Sequence, residues 1–402
     1  MKKRTLITFL GNNNYRETTY VLDDTRFATR FMGMRLAEVL DVGTIRVLGT
    51  TGSMWDVLAD ALQATGNPEH WVELSDAVKE NRVDATLLQR FENELNAPGG
   101  RRYELRLIPY GYGASDQVDV LQVMAEGLGA QDELHLDITH GLRHLPMLGM
   151  LSSFYLQSVG QTRVQEIYYG AFTPGAPETP IVRLNGLLEI QNWIRCLDQF
   201  EKDGDYGIFA PLLDSEGLDS KLLAEAAFLE RIGNLSLAQK KLGSFWNQQP
   251  APQPASPAGR MFLPQLRKRL DWRLQTRRSE WELKLATQAF AKRDYLRCCI
   301  MAYEARLSAQ VERTKGDINS YSERDAANTV LEQHTKAQKY SIPDAANFIT
   351  LKNLRNQLAH GVRASVGSSN PYAQQAAQYI ANLAGDESRL RQWLGGVLKQ
   401  PL

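Results

Sequence analysis

The sequence predicts a mainly parallel α/β domain followed by an all-helical region, and three observations carry that expectation. Short apolar runs recur at 5–10, 44–48, 103–108 and 133–138, and each empties into a turn that carries glycine. Longer stretches of helical spacing lie between them, so successive strands are joined by crossovers and become parallel neighbours with helices on both faces of the sheet. Beyond residue 187 the strand pattern stops, and amphipathic helical spacing runs on to residue 402.

In order, the strand at 5–10 leads into Gly11, Asn12, Asn13, Asn14 and Tyr15, and a helix-compatible stretch follows at 27–40. The strand at 44–48 leads into Gly49, Thr50, Thr51, Gly52 and Ser53, with a helix at 55–62 that Ser53 is placed to cap. Helical material at 71–95 ends in the turn Pro98-Gly99-Gly100, which introduces the strand at 103–108 and the run Tyr110-Gly111-Tyr112-Gly113. A helix at 118–127, the strand at 133–138 and an apolar helix at 145–159 come next, then strands at 164–169 and 181–184 paired as a hairpin around a proline-rich turn. Helices are expected at 187–200 and 221–242. The stretch QQPAPQPASPAGR at 248–260 reads as a flexible linker, and 261–402 as a helical bundle containing Trp272, Trp281 and Tyr303. The domains expected are therefore 1–186, a helical connector with its proline-rich loop at 187–260, and 261–402.

Composition narrows the function classes. A chain of 402 residues with 43% hydrophobic content has room for two or three domains with ordinary cores. Basic and acidic residues balance at 46 each, so no global field draws in nucleic acid and any such surface must be local. Cys196, Cys298 and Cys299 lack a C-x-x-C spacing, which fits a reducing compartment without structural zinc. The N-terminal apolar run is broken by Thr8 and ends at Leu10, too short for a signal-peptide core. No run approaches the roughly 20 apolar residues of a membrane span. A cytoplasmic location is expected.

In open parallel sheets ligands sit beyond the carboxyl ends of the strands. The residues expected to line such a pocket are Gly11, Asn12, Asn13, Thr50, Gly52, Ser53, Thr139, His140, Gly141 and Arg143. Neither G-x-G-x-x-G nor a Walker A motif is present, which disfavours an ordinary dinucleotide or triphosphate. In DITHGLRHLP, Asp137 and Thr139 fall on one side of the strand, and Gly141 permits the turn into a helix that opens near Pro146. His135, His140 and His144 invite a metal reading, but no local Glu or Cys completes a ligand set. A hydrolase reading lacks a nucleophile elbow.

The sharpest chemical signal is LKNLRNQLAHG at 351–361. Leu351, Leu354 and Leu358 form an apolar helix face, and Gly361 stands where a helix-ending glycine belongs. On the same segment Asn356 and His360 share a face by their four-residue spacing, with Arg355 at its edge. A guanidinium able to hold phosphate beside a histidine able to move a proton is a minimal kit for cutting RNA. Seven basic residues between Arg260 and Arg278 make a charged run, by default a solvated face and otherwise a holder of phosphates.

Both motifs carry resemblances. DITHG at 137–141 resembles the signature of the CRISPR-associated DxTHG proteins, which commonly join a CARF sensor to a HEPN effector, and RNQLAH resembles the R-x4-6-H motif of HEPN ribonucleases. The likeness extends through TFLGNNNYRETTY, GTTGSMW and DITHGLRHLPMLGML, but in the helical half it rests mainly on RNQLAHG. It implies a Rossmann-like CARF domain, then a HEPN domain, in a homodimer or higher oligomer. The implied activator is a cyclic oligoadenylate bound across the two-fold axis, with cyclic tetra-adenylate favoured over cyclic hexa-adenylate, and no cofactor or metal is required. The implied activity is endonucleolytic cutting of single-stranded RNA in type III CRISPR antiviral defence. His360 would move protons, Arg355 would stabilise the phosphorane, and Asn356 would orient His360 or the phosphate. Two motifs, one per subunit, would complete one site. Two alternatives stay open: a sensor whose HEPN part only dimerises, and a ring nuclease that degrades its own signal.

Overall fold

Leu6 and Leu10 of the first strand lie in one apolar core, while Ile7 and Phe9 lie in a second. Alternation with both faces buried makes it a central strand. The computed structural model describes residues 3–12, 15–64, 67–96, 98, 100–130, 132–159, 162–248, 253–337, 348–361 and 371–402. The chain divides into two units, 1–188 and 189–402.

The first unit contains β1 (Arg4–Leu10), β2 (Thr18–Leu22), β3 (Thr25–Thr29), α1 (Met32–Val39), β4 (Thr44–Gly49), α2 (Trp55–Ala61), α3 (Pro68–Lys79) and α4 (Ala85–Leu95). It continues with β5 (Arg102–Leu107), α5 (Ala114–Ala125), β6 (Glu133–Asp137), α6 (His144–Ser158), β7 (Arg163–Gly170) and β8 (Thr179–Arg183). The eight strands form one sheet in the order β3-β2-β8-β7-β6-β1-β4-β5. From β7 to β5 all neighbours are parallel; β8 runs antiparallel to β7, as the expected hairpin requires. The α1–α4 side packs around Leu36, Trp55, Leu74 and Phe91, and the α5–α6 side around Val120, Met124, Leu145 and Leu156. The mainly parallel α/β expectation therefore holds.

The chain leaves β1 toward β4 and β5, then returns to place β6 on the other side of β1. That reversal opens a crevice at the carboxyl ends of β1 and β6, the usual ligand position in such sheets.

Local expectations fail where short polar side chains redirect the backbone. The stretch at 27–40 is not all helix, because residues 25–29 form β3. Asp23 takes the left-handed conformation (φ 51°) in the turn between Leu22 and Thr25, and Arg183 holds its carboxylate with two bonds of 2.6 Å. Helix 71–95 splits at Asn81 (φ 54°), after which Asp84 caps α4 through the Leu87 N–H at 2.8 Å. Ser53 does not cap α2: its hydroxyl donates to the Leu10 carbonyl and accepts from the Thr50 N–H, each at 2.8 Å.

Among its described residues the second unit holds helices and no strand: α7 (Asn185–Asp203), which begins just before the boundary, α8 (Ala210–Ser215), α9 (Lys221–Arg231), α10 (Leu235–Trp246), α11 (Pro257–Arg269) and α12 (Arg278–Ala291). They are followed by α13 (Tyr295–Arg313), α14 (Tyr321–Ala337), α15 (Phe348–His360), α16 (Pro371–Ala384) and α17 (Glu387–Lys399). A single apolar core runs from Trp193 and Phe245 to Trp272, Leu351 and Val397, so helices on both sides of residue 260 share it. The expected helix at 221–242 breaks at Gly233 (φ 80°), where Asn234 caps α10. The proline-rich stretch is not simply a linker. Pro254 and Ala258 are buried, and Ser256 caps α11 while its N–H donates to Glu216 at 2.7 Å. Residues 249–252 lie outside the described set. Among the described residues no helix is long and apolar enough to cross a membrane.

Candidate functional site

At the β1/β6 crevice two backbones nearly touch. A Cβ on Gly11 would collide with the Tyr15 hydroxyl and lie 3.2 Å from the Gly141 nitrogen, and Gly141 itself needs φ +103°. The Gly11 N–H donates to the Tyr15 Oη at 2.7 Å, and its carbonyl accepts the Met54 N–H at 2.9 Å. With the Ser53 bond to Leu10, the loops after β1, β4 and β6 are tied into one floor.

The polar side chains of DITHG turn into the fold. Asp137 is 0% exposed; its Oδ2 accepts from the Thr8 hydroxyl at 2.7 Å and its Oδ1 from the Thr139 N–H at 2.9 Å. Gly33 lets the first turn of α1 come close, since a Cβ there would lie 2.9 Å from Asp137 Oδ2. The carboxylate thus sits at the positive end of that helix. The Thr139 hydroxyl accepts the Gly170 N–H at 2.8 Å and donates to the Met32 sulfur at 3.1 Å. His140 Nε2 accepts the Met32 N–H at 3.4 Å, and its ring lies 4.3 Å from that of Tyr15. Burial pushes the His140 pKa below the ordinary histidine range, with Asp137 pulling the other way. A neutral ring with a free acceptor nitrogen suits the cap it makes on α1.

The other expected pocket residues fall into two groups. Thr50 and Ser53 are buried and bonded within their own loop, and at Gly52 a Cβ would collide with Asn81. Asn12 and Arg143 are exposed, and Arg143 stands at the first turn of α6 with no side-chain partner among the described residues. Asn13 lies outside the described residues. The three histidines are separated by role: His135 is buried against Tyr168, and His144 donates from Nε2 to the Tyr110 carbonyl at 2.6 Å. Among the described residues no group of three His, Cys, Asp or Glu side chains is arranged to hold a metal.

The second constellation sits at the end of α15, which Gly361 terminates at φ +61°. Leu351 and Leu354 are fully buried in the helical core, which fixes the opposite face outward. The Arg355 guanidinium lies 4.2 Å from the Tyr303 ring centroid and 3.9 Å from Glu304 Oε1, and donates to Asn356 Oδ1 at 2.8 Å. Half-buried and held on three sides, it is pre-positioned. His360 is exposed on the last turn. Among the described residues Asn356 makes no hydrogen bond to His360; its amide oxygen serves Arg355 instead.

Residues 5–174 match the family model described as CRISPR system endoribonuclease Csx1, CARF domain. The first unit is similar to that family over most of its length. The chain is also 23% identical over 355 residues to the CRISPR-associated protein MJ1674 of Methanocaldococcus jannaschii, covering 81% of this chain and 55% of that one. It therefore spans about half the length of that relative. A solved structure of Enterococcus italicus Csm6 bound to cyclic hexa-2'-fluoro-hexa-dAMP aligns over 99% of this chain and 94% of that one, at 11% identity and a TM-score of 0.33.

Sequence reasoning missed an aromatic wall of the first unit. Tyr112 is 78% exposed, stacks on Tyr110 at 5.6 Å and lies 5.9 Å from His144. The signal for it in the sequence is the alternation Tyr110-Gly111-Tyr112-Gly113 after β5. Tyr15 was also passed over, although its hydroxyl and ring join the Gly11 loop to His140.

Proposed function

We propose that this protein is a metal-independent endoribonuclease that cuts single-stranded RNA when a cyclic oligoadenylate binds its CARF domain, in type III CRISPR defence. The observation that carries the reading is the pairing of a pre-positioned Arg355 with an exposed His360 at the end of α15, in a helical unit that follows a CARF domain. The ribose 2'-OH attacks the adjacent phosphorus, and the 5'-oxygen leaves with a proton, giving a cyclic phosphate and a 5'-OH fragment. His360 moves the proton, and Arg355 stabilises charge on the phosphorane. Asn356 orients Arg355, to which it is bonded.

The crevice suits a ring of phosphates and purines. Asn12, Arg143 and the N-terminus of α6 offer donors to phosphate, and Tyr110 with Tyr112 offers ring faces to bases. Cyclic tetra-adenylate is the favoured activator and cyclic hexa-adenylate the second choice. Met147, Leu151 and Tyr155 form an exposed stripe at four-residue spacing on α6, which suits a second copy of the chain. One ring across two crevices then brings two HEPN motifs into one composite site. A hundredfold activation requires about 2.7 kcal/mol of differential binding, modest for a polyanion held by two subunits.

The test is incubation of the protein with a fluorescent RNA and a panel of cyclic oligoadenylates in the presence of a chelator. Cleavage with one ring, ending in cyclic phosphate and absent with DNA, is expected. No RNA cleavage with any ring overturns it in favour of a sensor with an inactive helical module. Linearised oligoadenylate from a His360→Ala chain, without RNA cleavage by the wild type, overturns it in favour of a ring nuclease.

A further inference from the structure

Of the seven basic side chains between Arg260 and Arg278, three have carboxylate partners: Arg269 with Glu201, Arg277 with Glu280 and Arg278 with Glu282. Arg273 is the anomaly among the rest. It is 8% exposed, has no carboxylate partner among the described residues, and its Nε makes no hydrogen bond. Burial and the neighbouring Arg267 both push its pKa down. Arg267 and Arg273 lie 5.5 and 5.8 Å from the centroid of one ring, Trp246, whose buried Nε1 is also without a partner. Two like charges and an orphaned N–H thus converge with nothing negative beside them. A cluster of this kind is completed by an anion.

The cluster has a direction. Trp246 ends α10, and at about 100° per residue positions 236, 239, 243 and 246 fall within an arc of about 80°. Along that side the Arg273 carbonyl accepts from Gln239 Nε2 at 3.3 Å, and the Ser236 hydroxyl accepts from Arg278 Nη1 at 2.7 Å. Gly243 lies between, and a Cβ there would meet nothing within 4 Å, so packing does not demand this helix-weakening glycine. It leaves a shallow dip in the helix surface. Ser236 and Arg278 then line a groove of about 420 Å³ that reaches Arg324 and Glu304. Glu304 bonds Arg324 and is the carboxylate beside Arg355.

We infer that this side of α10 is a phosphate track for single-stranded RNA, running from Arg267, Arg273 and Trp246 past Gly243 to the groove that reaches Glu304, the carboxylate beside Arg355. It rests on the RNA-cutting reading for its ligand, and it names where the strand lies before it is cut. Ser236 to Trp246 spans about 15 Å along the helix axis, enough for more than one phosphate. Guanidinium contacts with one aromatic neighbour read no bases, so binding is tolerant of sequence and sensitive to salt.

The experiment measures binding of a labelled single-stranded RNA to the full chain carrying His360→Ala, by fluorescence anisotropy across a salt series. Adding Arg267→Gln, at an exposed position, or Gly243→Glu, which places a carboxylate in open space, should each weaken binding about tenfold with an unchanged melting temperature. Arg267→Gln should also flatten the slope of log affinity against log salt by about 0.7, the loss of one single-strand phosphate contact. Unchanged affinity and slope in both variants overturn the track, even if the wild type cuts RNA. Weakened binding in both, in a protein that cuts no RNA with any ring, keeps the track and removes the catalytic reading.

Discussion

The two motifs of this chain are used in opposite senses. At the end of β6 the side chains of Asp137, Thr139 and His140 turn inward and close bonds to Thr8, Gly170 and Met32, so DITHG builds the floor of the crevice more than it faces a ligand. At the end of α15 the leucines turn inward, Arg355 is half-buried against Tyr303, Glu304 and Asn356, and His360 is exposed to solvent. A strand end must satisfy its own backbone before it can hold anything, whereas a helix satisfies its own and can spend a whole face on function.

The sharpest break of that contrast is catalytic. His360→Ala should lower RNA cleavage by about 10²–10⁴-fold with no change in melting temperature, and Arg355→Lys should do similar damage because lysine lacks the planar fork. Cleavage that survives both would move the chemistry elsewhere. Asp137→Ala should do the reverse, destabilising the first unit by about 2–4 kcal/mol by orphaning the Thr8 hydroxyl and the Thr139 N–H. Hydrogen exchange localised to 1–188 would report it, and full protection would mean that the motif faces the ligand after all. Replacing Asn12 and Arg143 together with alanine should cost about tenfold in affinity for the ring at unchanged stability. Titration calorimetry showing no change would remove the exposed rim from the site.

The smallest effect concerns His135, which is 6% exposed with neither ring nitrogen bonded. Burial first, and then Arg4, lowers its pKa, so the unfolded chain takes the proton more readily than the fold does. The proton-linked part of its cost therefore appears as pH falls through the ordinary histidine range, near about 6.5, and is absent above it. His135→Phe keeps the stack on Tyr168, removes the unbonded nitrogens and should flatten that acid limb, with a melting temperature about 2–4 °C higher at neutral pH. An acid limb as steep as that of the wild type would assign the titration to another group.

Periodicity made the sheet legible, because β1, β4 and β6 are buried on both faces, and they and the edge strand β5 are each followed by a glycine-bearing turn. The β2–β3 hairpin was hidden because its turn is Asp23-Asp24, without the glycine that usually marks one, and because Phe27 also suits a helix. At the crevice the positions came from residue type, but side-chain direction did not, since it depends on α1 arriving at Gly33 from another part of the chain. The end of α15 was legible down to its capping glycine because what sets the helix and its stop is local, whereas the contacts of Arg355 with Tyr303 and Glu304 are not.

The near contact of Gly11 with Gly141 also governs where the length of the chain can vary. One added residue in either loop would break the bonds of Gly11 to Tyr15 and Met54 and lever the loops apart. At 112–113 Tyr112 is largely exposed, and a Cβ on Gly113 would meet nothing within 4 Å. An insertion there would lengthen the aromatic wall and leave the floor alone, so a change in the size of ligand admitted is most easily written into that wall.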